Sequence, residues 1–342
     1  MKPLKPGPLN LITDVEGLAV GNADDASRLT GVTVVVPDGI AVAAVEQRGG
    51  APGTRELDAL KPSTLVDGVH AVVLSGGSVF GLDAASGVVT ALSKRGVGFV
   101  FGAQPHPCPV VPSAILFDLM NGGDKAWDEP PYHALGVAAL AAASKRFALG
   151  NSGAGMGATA GAFKGGLGSA SVIVGRHTVG ALVAVNCFGS VVDPRTGRLW
   201  AEPFLLREDG PAPHVAVEHD AGMDLHPVIW GHTKGSRAAA AAQNTTIAVV
   251  ATDAILSKAD AHRFAIMAAD GLPRAIRPVH TPFDGDTVIA LATGRHPLGL
   301  PAPLSLATLG TAAADTLARA VARAVLAADS IPGWRSIASH VS

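Results

Sequence analysis

The segment Ile247-Ala248-Val249-Val250-Ala251 is apolar at every position and too short for a membrane span, so it reads as a strand buried on both faces. Such a strand needs cover from two sides, which calls for a layered fold. What precedes it narrows the reading further. Asn244-Thr245-Thr246 stands between this strand and an alanine run, Ala238 to Ala242. A threonine at the mouth of a buried strand, just after a polar segment, is a place where a chain can cut itself and expose a nucleophile. Cleavage before Thr245 would set its hydroxyl beside a new α-amino group, whose free pKa of roughly 7.7–8.0 suits a general base at neutral pH. The competing reading is a polar turn leading into a strand.

Composition supports extensive burial. Apolar residues make up 48% of the 342 and charged residues 16%, and the mean hydropathy is +0.34. That balance argues against disorder and for a layered enzyme fold or an oligomer. Residues 1–342 read as one domain, since α/β chains of this size commonly share one core. A formal charge of −2 leaves no electrostatic footprint for nucleic acid. Cys108 and Cys187 are too few for a disulfide framework or a Cys-rich metal site. Met1 to Pro8 lacks the apolar core of a secretion signal, and no run of about 18 clean apolar residues suggests a membrane span. The expectation is a cytoplasmic protein with no cofactor, no metal and no membrane partner.

Along the chain, Gly31 to Pro37 and Ile40 to Val45 are β-branched runs separated by Asp38-Gly39, which predicts a hairpin. His70 to Leu74 predicts a strand that leads through Ser75-Gly76-Gly77-Ser78 into a helix from Val79 to Lys94. A second helix is expected over His133 to Arg146. The glycine-rich run from Gly150 to Gly168 then feeds two strands, Ser169 to Gly175 and Val179 to Asn186. Residues 203–243 read as a long excursion with little regular structure, easy to cut. Beyond Thr245 come a strand to Asp253, a helix opened by the capping box Ser257/Asp260, a strand from Asp286 to Thr293 and a helix from Ser305 to Ala328. Strands and helices arrive in blocks, which favours sheets covered by helices over a doubly wound fold.

Several common chemistries lack their residues. Gly153-x-Gly155-x-Gly157 has the wrong spacing for a dinucleotide fingerprint, and Lys164 is followed by Gly165-Gly166 rather than a Walker-type Ser or Thr. No Gly-x-Ser-x-Gly elbow is present. His214 and His219 flank Glu218 without zincin spacing, and His262 and His280 read as surface or core residues. What remains is a lysine amid glycines, Lys164, able to favour a deprotonated nucleophile or stabilise negative charge. Asn186, at a strand end, is either a turn cap or an oxyanion donor. Asp284-Gly285-Asp286 is either a turn or a carboxylate pair able to hold an amine.

Taken together, Arg48-Gly49-Gly50-Ala51-Pro52-Gly53-Thr54-Arg55-Glu56, Ser75-Gly76-Gly77-Ser78, Lys164-Gly165-Gly166, Val185-Asn186, Asn244-Thr245-Thr246 and Asp284-Gly285-Asp286-Thr287 resemble, in order and spacing, the P1 or S58 peptidase family of L-aminopeptidase/D-esterases, β-aminopeptidases and nylon-oligomer hydrolases. The resemblance implies a four-layer αββα sandwich, cut by autoproteolysis between Asn244 and Thr245 into residues 1–244 and 245–342, and a homo-oligomer, a tetramer of cleaved pairs. It implies a hydrolase acting on a small peptide, amide or ester, with Thr245 as nucleophile and Asn186 supporting the oxyanion. Lys164 would tune Thr245, and Asp284 and Asp286 would hold the α-amino group and its hydrogen bonds. The sequence departs from the family at Phe80, where relatives carry a tyrosine, and Gly189-Ser190 is an internal competitor for the cut. Two other readings fit the same residues: an acyltransferase of the ornithine acetyltransferase type, and an uncleaved binding protein of the same fold.

Overall fold

The computed structural model describes residues 4–216, 232–234 and 244–340. In chain order the strands are β1 (Leu18–Asp25), β2 (Thr30–Pro37), β3 (Val42–Gln47), β4 (Thr54–Arg55), β5 (Val72–Ser75), β6 (Ser113–Ile115), β7 (Thr159–Ala160), β8 (Phe163–Lys164), β9 (Gly166–Val174), β10 (His177–Asn186), β11 (Thr245–Ala254) and β12 (Thr287–His296). The helices that matter here are α1 (Asp83–Lys94), α2 (Tyr132–Ala141), α3 (Lys258–Ala269), α4 (Gly271–Ala275) and α5 (Ala302–Leu326). One sheet has the order β1-β2-β5-β6-β4 and the other β3-β12-β11-β10-β9, with β7-β8 a separate pair.

Strand β11 shows why the layers form. Its side chains alternate between faces, so Ile247, Val249 and Ala251 meet Val35, Val72 and Leu74 of the other sheet. Ala248 and Val250 face the opposite way, into a core shared with Phe264, Leu317 and Val321 of α3 and α5. The outer face of the first sheet, Val32, Val34 and Val73, is covered by Ala84 and Val88 of α1 and Ala139 of α2. Helix, sheet, sheet and helix therefore stack in four layers, the αββα arrangement expected. Small residues let the outer helix lie close: a Cβ on Gly168 would stand 2.0 Å from the backbone oxygen of Ala320, so any side chain there would lift α5 off the sheet.

Two expectations are corrected. Gly31 to Pro37 and Ile40 to Val45 do not form a hairpin, because β2 pairs with β1 and β5 while β3 pairs with β12 in the other sheet. Asp38-Gly39 carries the chain between layers: Asp38 N–H donates to Gly17 O, and the Asp38 carboxylate pairs with Arg295. The helix expected to reach Arg146 stops at Ala141, since Ser144 bridges to Val20 at the sheet edge. The capping box at Ser257 forms, its Oγ accepting from Asp260 N at 3.1 Å.

Topology gathers the residues singled out above. Strands β11 and β12 are parallel, joined through α3 and α4, and place Ile247 opposite Thr287. Strand β10 runs antiparallel to β11, with Asn186 opposite Thr245, and β9 antiparallel to β10, with Gly166 opposite Val185. The end of β10 and the starts of β9, β11 and β12 thus meet at one end of the sheet.

Candidate active site

Thr245 is the first residue of β11 and is buried. Its hydroxyl donates to the carbonyl oxygen of Asn244. Gly285 N–H serves both oxygens of this junction, lying 3.2 Å from Thr245 Oγ1 and 3.1 Å from Asn244 O. A Cβ on Gly285 would sit 2.7 Å from Thr245 Oγ1 and 2.8 Å from Ala51 O, so only glycine lets the backbone come this close. The Asn244–Thr245 peptide is therefore held with a hydroxyl on its carbonyl side and a hydrogen-bond donor on its oxygen.

The two carboxylates sit at the start of β12. Asp286 Oδ1 accepts from Thr246 N at 2.7 Å, and its Oδ2 from His280 N at 3.1 Å with His280 Nδ1 at 2.8 Å. Asp284 Oδ1 accepts from Phe188 N at 3.1 Å, and Oδ2 from Thr281 N at 2.9 Å and Thr281 Oγ1 at 2.6 Å. Burial, and then the neighbouring Asp286, push the Asp284 carboxyl above the usual carboxylate range. The Arg48-to-Thr54 stretch forms the backing: Arg48 N donates to Asp286 O at 3.1 Å and Ala51 N to Asp284 O at 2.8 Å. A side chain on Gly49 would strike Asp284 O and Asp286 N, both 2.3 Å from a Cβ there.

Asn186 is wholly buried. Its Oδ1 is surrounded by Thr159 N at 2.9 Å, Asn121 Nδ2 at 3.1 Å, Lys234 Nζ at 3.1 Å and Thr159 Oγ1 at 3.2 Å, and its Nδ2 donates to Phe117 O at 2.9 Å. A backbone N–H and an ammonium can only donate, so the carboxamide orientation is fixed by its surroundings. Lys164 is also fully buried, and its ammonium donates to the carbonyls of Gly155 and Gly165, both at 2.9 Å. It reaches Asn186 through a strand partner, Thr159, which pairs with Lys164 and donates to the amide. Burial lowers the Lys164 ammonium to about 7.

The structure thus brings Thr245, Asn186, Asp284 and Asp286 to one end of the sheet, with Lys164 one hydrogen-bonded pair further out. His280, read from sequence as a surface or core residue, stands against Asp286. Its position six residues before Asp286, in a loop bounded by Pro278 and Pro282, was the available signal. Gly285, Thr159, Asn121 and Lys234 were not singled out at all. Ser190 is buried, and its Oγ donates to Val192 O and accepts from Val192 N, while Asn186 stands opposite Thr245. Phe80 is 44% exposed and packs edge-on against Trp127. The chain's only tyrosine, Tyr132, also packs edge-on against Trp127, with its hydroxyl 3.2 Å from Thr30 Oγ1. Glu218, His219 and the alanine run lie outside the described residues.

Known structures share this architecture. A β-aminopeptidase of Burkholderia sp. superposes with a TM-score of 0.68 at 24% identity, covering 96% of this chain and 89% of its own. An L-aminopeptidase D-Ala-esterase/amidase from Ochrobactrum anthropi, described as a variant of the Ntn hydrolase fold, superposes with a TM-score of 0.68 at 22% identity over 97% and 91%. The chain shares the fold of these structures. Residues 10–338 match the model of peptidase family S58, and the chain belongs to that family. An uncharacterized aminopeptidase of Mycobacterium bovis is 45% identical over 349 residues, covering 95% of this chain and 96% of the relative. A 6-aminohexanoate-oligomer endohydrolase of Kocuria sp. is 32% identical over 293 residues, covering 82% and 74%. The chain is accordingly a hydrolase of the peptidase class.

Proposed function

We propose that this chain is an autoprocessing N-terminal threonine hydrolase that removes amino-terminal residues from short peptides, amides or esters through an acyl-enzyme. The observation that carries the reading is the Asn244–Thr245 junction, where one backbone N–H, that of Gly285, faces both the hydroxyl and the carbonyl oxygen. In the whole chain Thr245 Oγ1 attacks the carbonyl carbon of Asn244 through a five-membered ring. The hydroxyl proton ends on the departing nitrogen of Thr245, and the amide becomes an ester. Gly285 N–H stabilises the charge that develops on Asn244 O. Water then hydrolyses the ester, leaving Asn244 with a carboxylate and Thr245 with a free α-amine.

In the mature protein that amine takes the Oγ1 proton as the hydroxyl attacks substrate, and gives it to the leaving amine or alcohol. Asn186 supplies an amide donor for the oxyanion. Asp286, anchored by Thr246 N–H and His280, and Asp284, anchored by Phe188 and Thr281, position the new amine. Lys164 tunes this end of the sheet by placing a buried cation behind Thr159. Two free thiols, Cys108 and Cys187, fit a reducing cytoplasm. Exposed Leu300, just before α5, and Leu304, in its first turn, fit a homo-oligomer of cleaved pairs.

Intact-mass measurement of purified protein is the direct test, with two fragments expected, the smaller starting at Thr245. A chain that stays whole through prolonged incubation and does not hydrolyse amino-terminal amides would overturn the reading.

A further inference from the structure

Lys234 is a residue that the proposed turnover mechanism does not use. It is 1% exposed, and Thr233 beside it is 0% exposed. The short piece His232-Thr233-Lys234 is fastened at each end: Ala162 N donates to His232 O at 2.7 Å, and Lys234 N donates to Phe188 O at 3.0 Å. The His232 ring lies 5.5 Å from that of Phe163. From this anchor the Lys234 ammonium reaches Asn186, lying 3.1 Å from Oδ1 and 3.4 Å from the backbone oxygen. Asn186 is the register partner of Thr245.

Burying an ammonium is costly unless it is well paired, so its place beside the amide opposite the scissile junction calls for an account. Its place in the chain supplies one. Only residues 235–243 separate Lys234 from Asn244, so Lys234 holds the amide from a point in the chain close to the scissile bond. A cut before Thr245 would leave Lys234 on the large chain, ten residues before its new end. Thr159 and Asn121, both far upstream, would still hold the Asn186 amide.

We propose that Lys234 is a positioning residue for self-cleavage, fixing the Asn186 carboxamide opposite the scissile junction while the chain is whole, and needed less for turnover once the bond is broken. The inference rests on the reading of Thr245 as the cut site. Burial lowers the Lys234 ammonium to about 8, with Cys187 and Asp284 as the titratable groups facing it. Both remain when Lys234 is replaced.

The experiment follows the fragment beginning at Thr245 in freshly prepared full-length chain, by mass spectrometry, for wild type, Lys234→Met and Lys234→Gln. Loss of a charge-assisted hydrogen bond should slow Lys234→Met by about tenfold or more. Lys234→Gln, which keeps a donor, should fall between the two. The wild-type to Lys234→Met ratio should decline as pH rises through about 8, where the ammonium is lost. Once fully cut, Lys234→Met should lose less in kcat than it lost in cleavage rate, with KM near wild type, because Thr159 and Asn121 still hold the Asn186 amide. Equal cleavage rates in wild type and Lys234→Met, or a matured Lys234→Met that loses turnover in the same proportion as it loses cleavage, would overturn the proposal. Should Lys234→Met not fold, a Lys234→Gln chain cutting at the wild-type rate with an unchanged pH profile would do the same. A wild-type chain that never cuts would sink the cut-site reading itself, a separate result.

Discussion

The paired strands β10 and β11 have a buried carboxylate beside a histidine at each end. At the far end Asp253 accepts from Thr178 N through both oxygens, at 3.0 and 3.1 Å, and lies 3.4 Å from His177 Nδ1. At the near end Asp286 accepts from Thr246 N at 2.7 Å and pairs with His280 at 2.8 Å. The two constructions use the same parts, a carboxylate closing off a strand N–H with an imidazole nitrogen within 3.4 Å of it. What separates them is company: the near end adds a hydroxyl on a peptide carbonyl, a donor aimed at that carbonyl, a second carboxylate and an oriented carboxamide. A buried Asp–His pair is thus a way of finishing a strand. Chemistry at such a pair depends on what else the topology delivers to the same place.

Mutations at the two ends test that distinction. The largest effect belongs to Thr245→Ala, which should leave the chain whole and lower turnover by on the order of 10⁴-fold or more, read by intact mass and by hydrolysis of an amino-terminal amide. Asn186→Ala should reduce kcat by about 10²–10³-fold, the usual cost of an oxyanion donor, with a smaller change in KM. Asp286→Asn should reduce turnover by about tenfold or more, whereas Asp253→Asn should cost about 1–3 kcal/mol in urea unfolding and leave turnover within about twofold. Equal loss of turnover in both Asn variants would dissolve the contrast between the ends.

A pH experiment addresses Lys164. Its folded-state pKa is lowered from 10.5 to about 7, so between these values the unfolded chain binds the extra proton. Wild-type stability should therefore rise with pH across that window and fall as pH drops through about 7. Lys164→Met should flatten the slope, seen as a smaller gain in Tm between pH 7 and pH 10. The smallest effect expected is that of Phe80→Tyr. Because Phe80 is 44% exposed and packs on Trp127, an added hydroxyl there should change kcat by less than about twofold.

Much of the layering was legible in the chain. Clean apolar runs such as Ile247 to Ala251 announced strands buried on both faces, and Ser257/Asp260 marked a helix start to the residue. Sheet membership was not legible, because Asp38-Gly39 signals a reversal locally and nothing nearby says which strand will pair with β2. One of its two partners is β1, Leu18–Asp25, whose mixed polar and apolar residues hid it. The ordered motifs brought Thr245, Asn186, Asp284 and Asp286 forward. The groups that hold them stayed hidden, since Thr159 N–H and Gly285 N–H act through backbone atoms that every residue possesses. Asn121 and Lys234 act at long range, 65 and 48 residues from Asn186, and no spacing rule reaches that far.

The strand order β3-β12-β11-β10-β9 has a practical corollary for anyone making this protein. On the proposed cut, the two neighbouring strands in the middle of that sheet would come from the shorter product, and the strands on both flanks from the longer one. Each product would then be an incomplete solution to the same packing problem, with unpaired edges where its counterpart belongs. Two separately expressed polypeptides would have to find each other before either aggregated, whereas one uncut chain delivers both in equal amounts and already threaded. Co-translation from a single reading frame would then be part of the assembly route, and a bicistronic version of this protein should yield insoluble material.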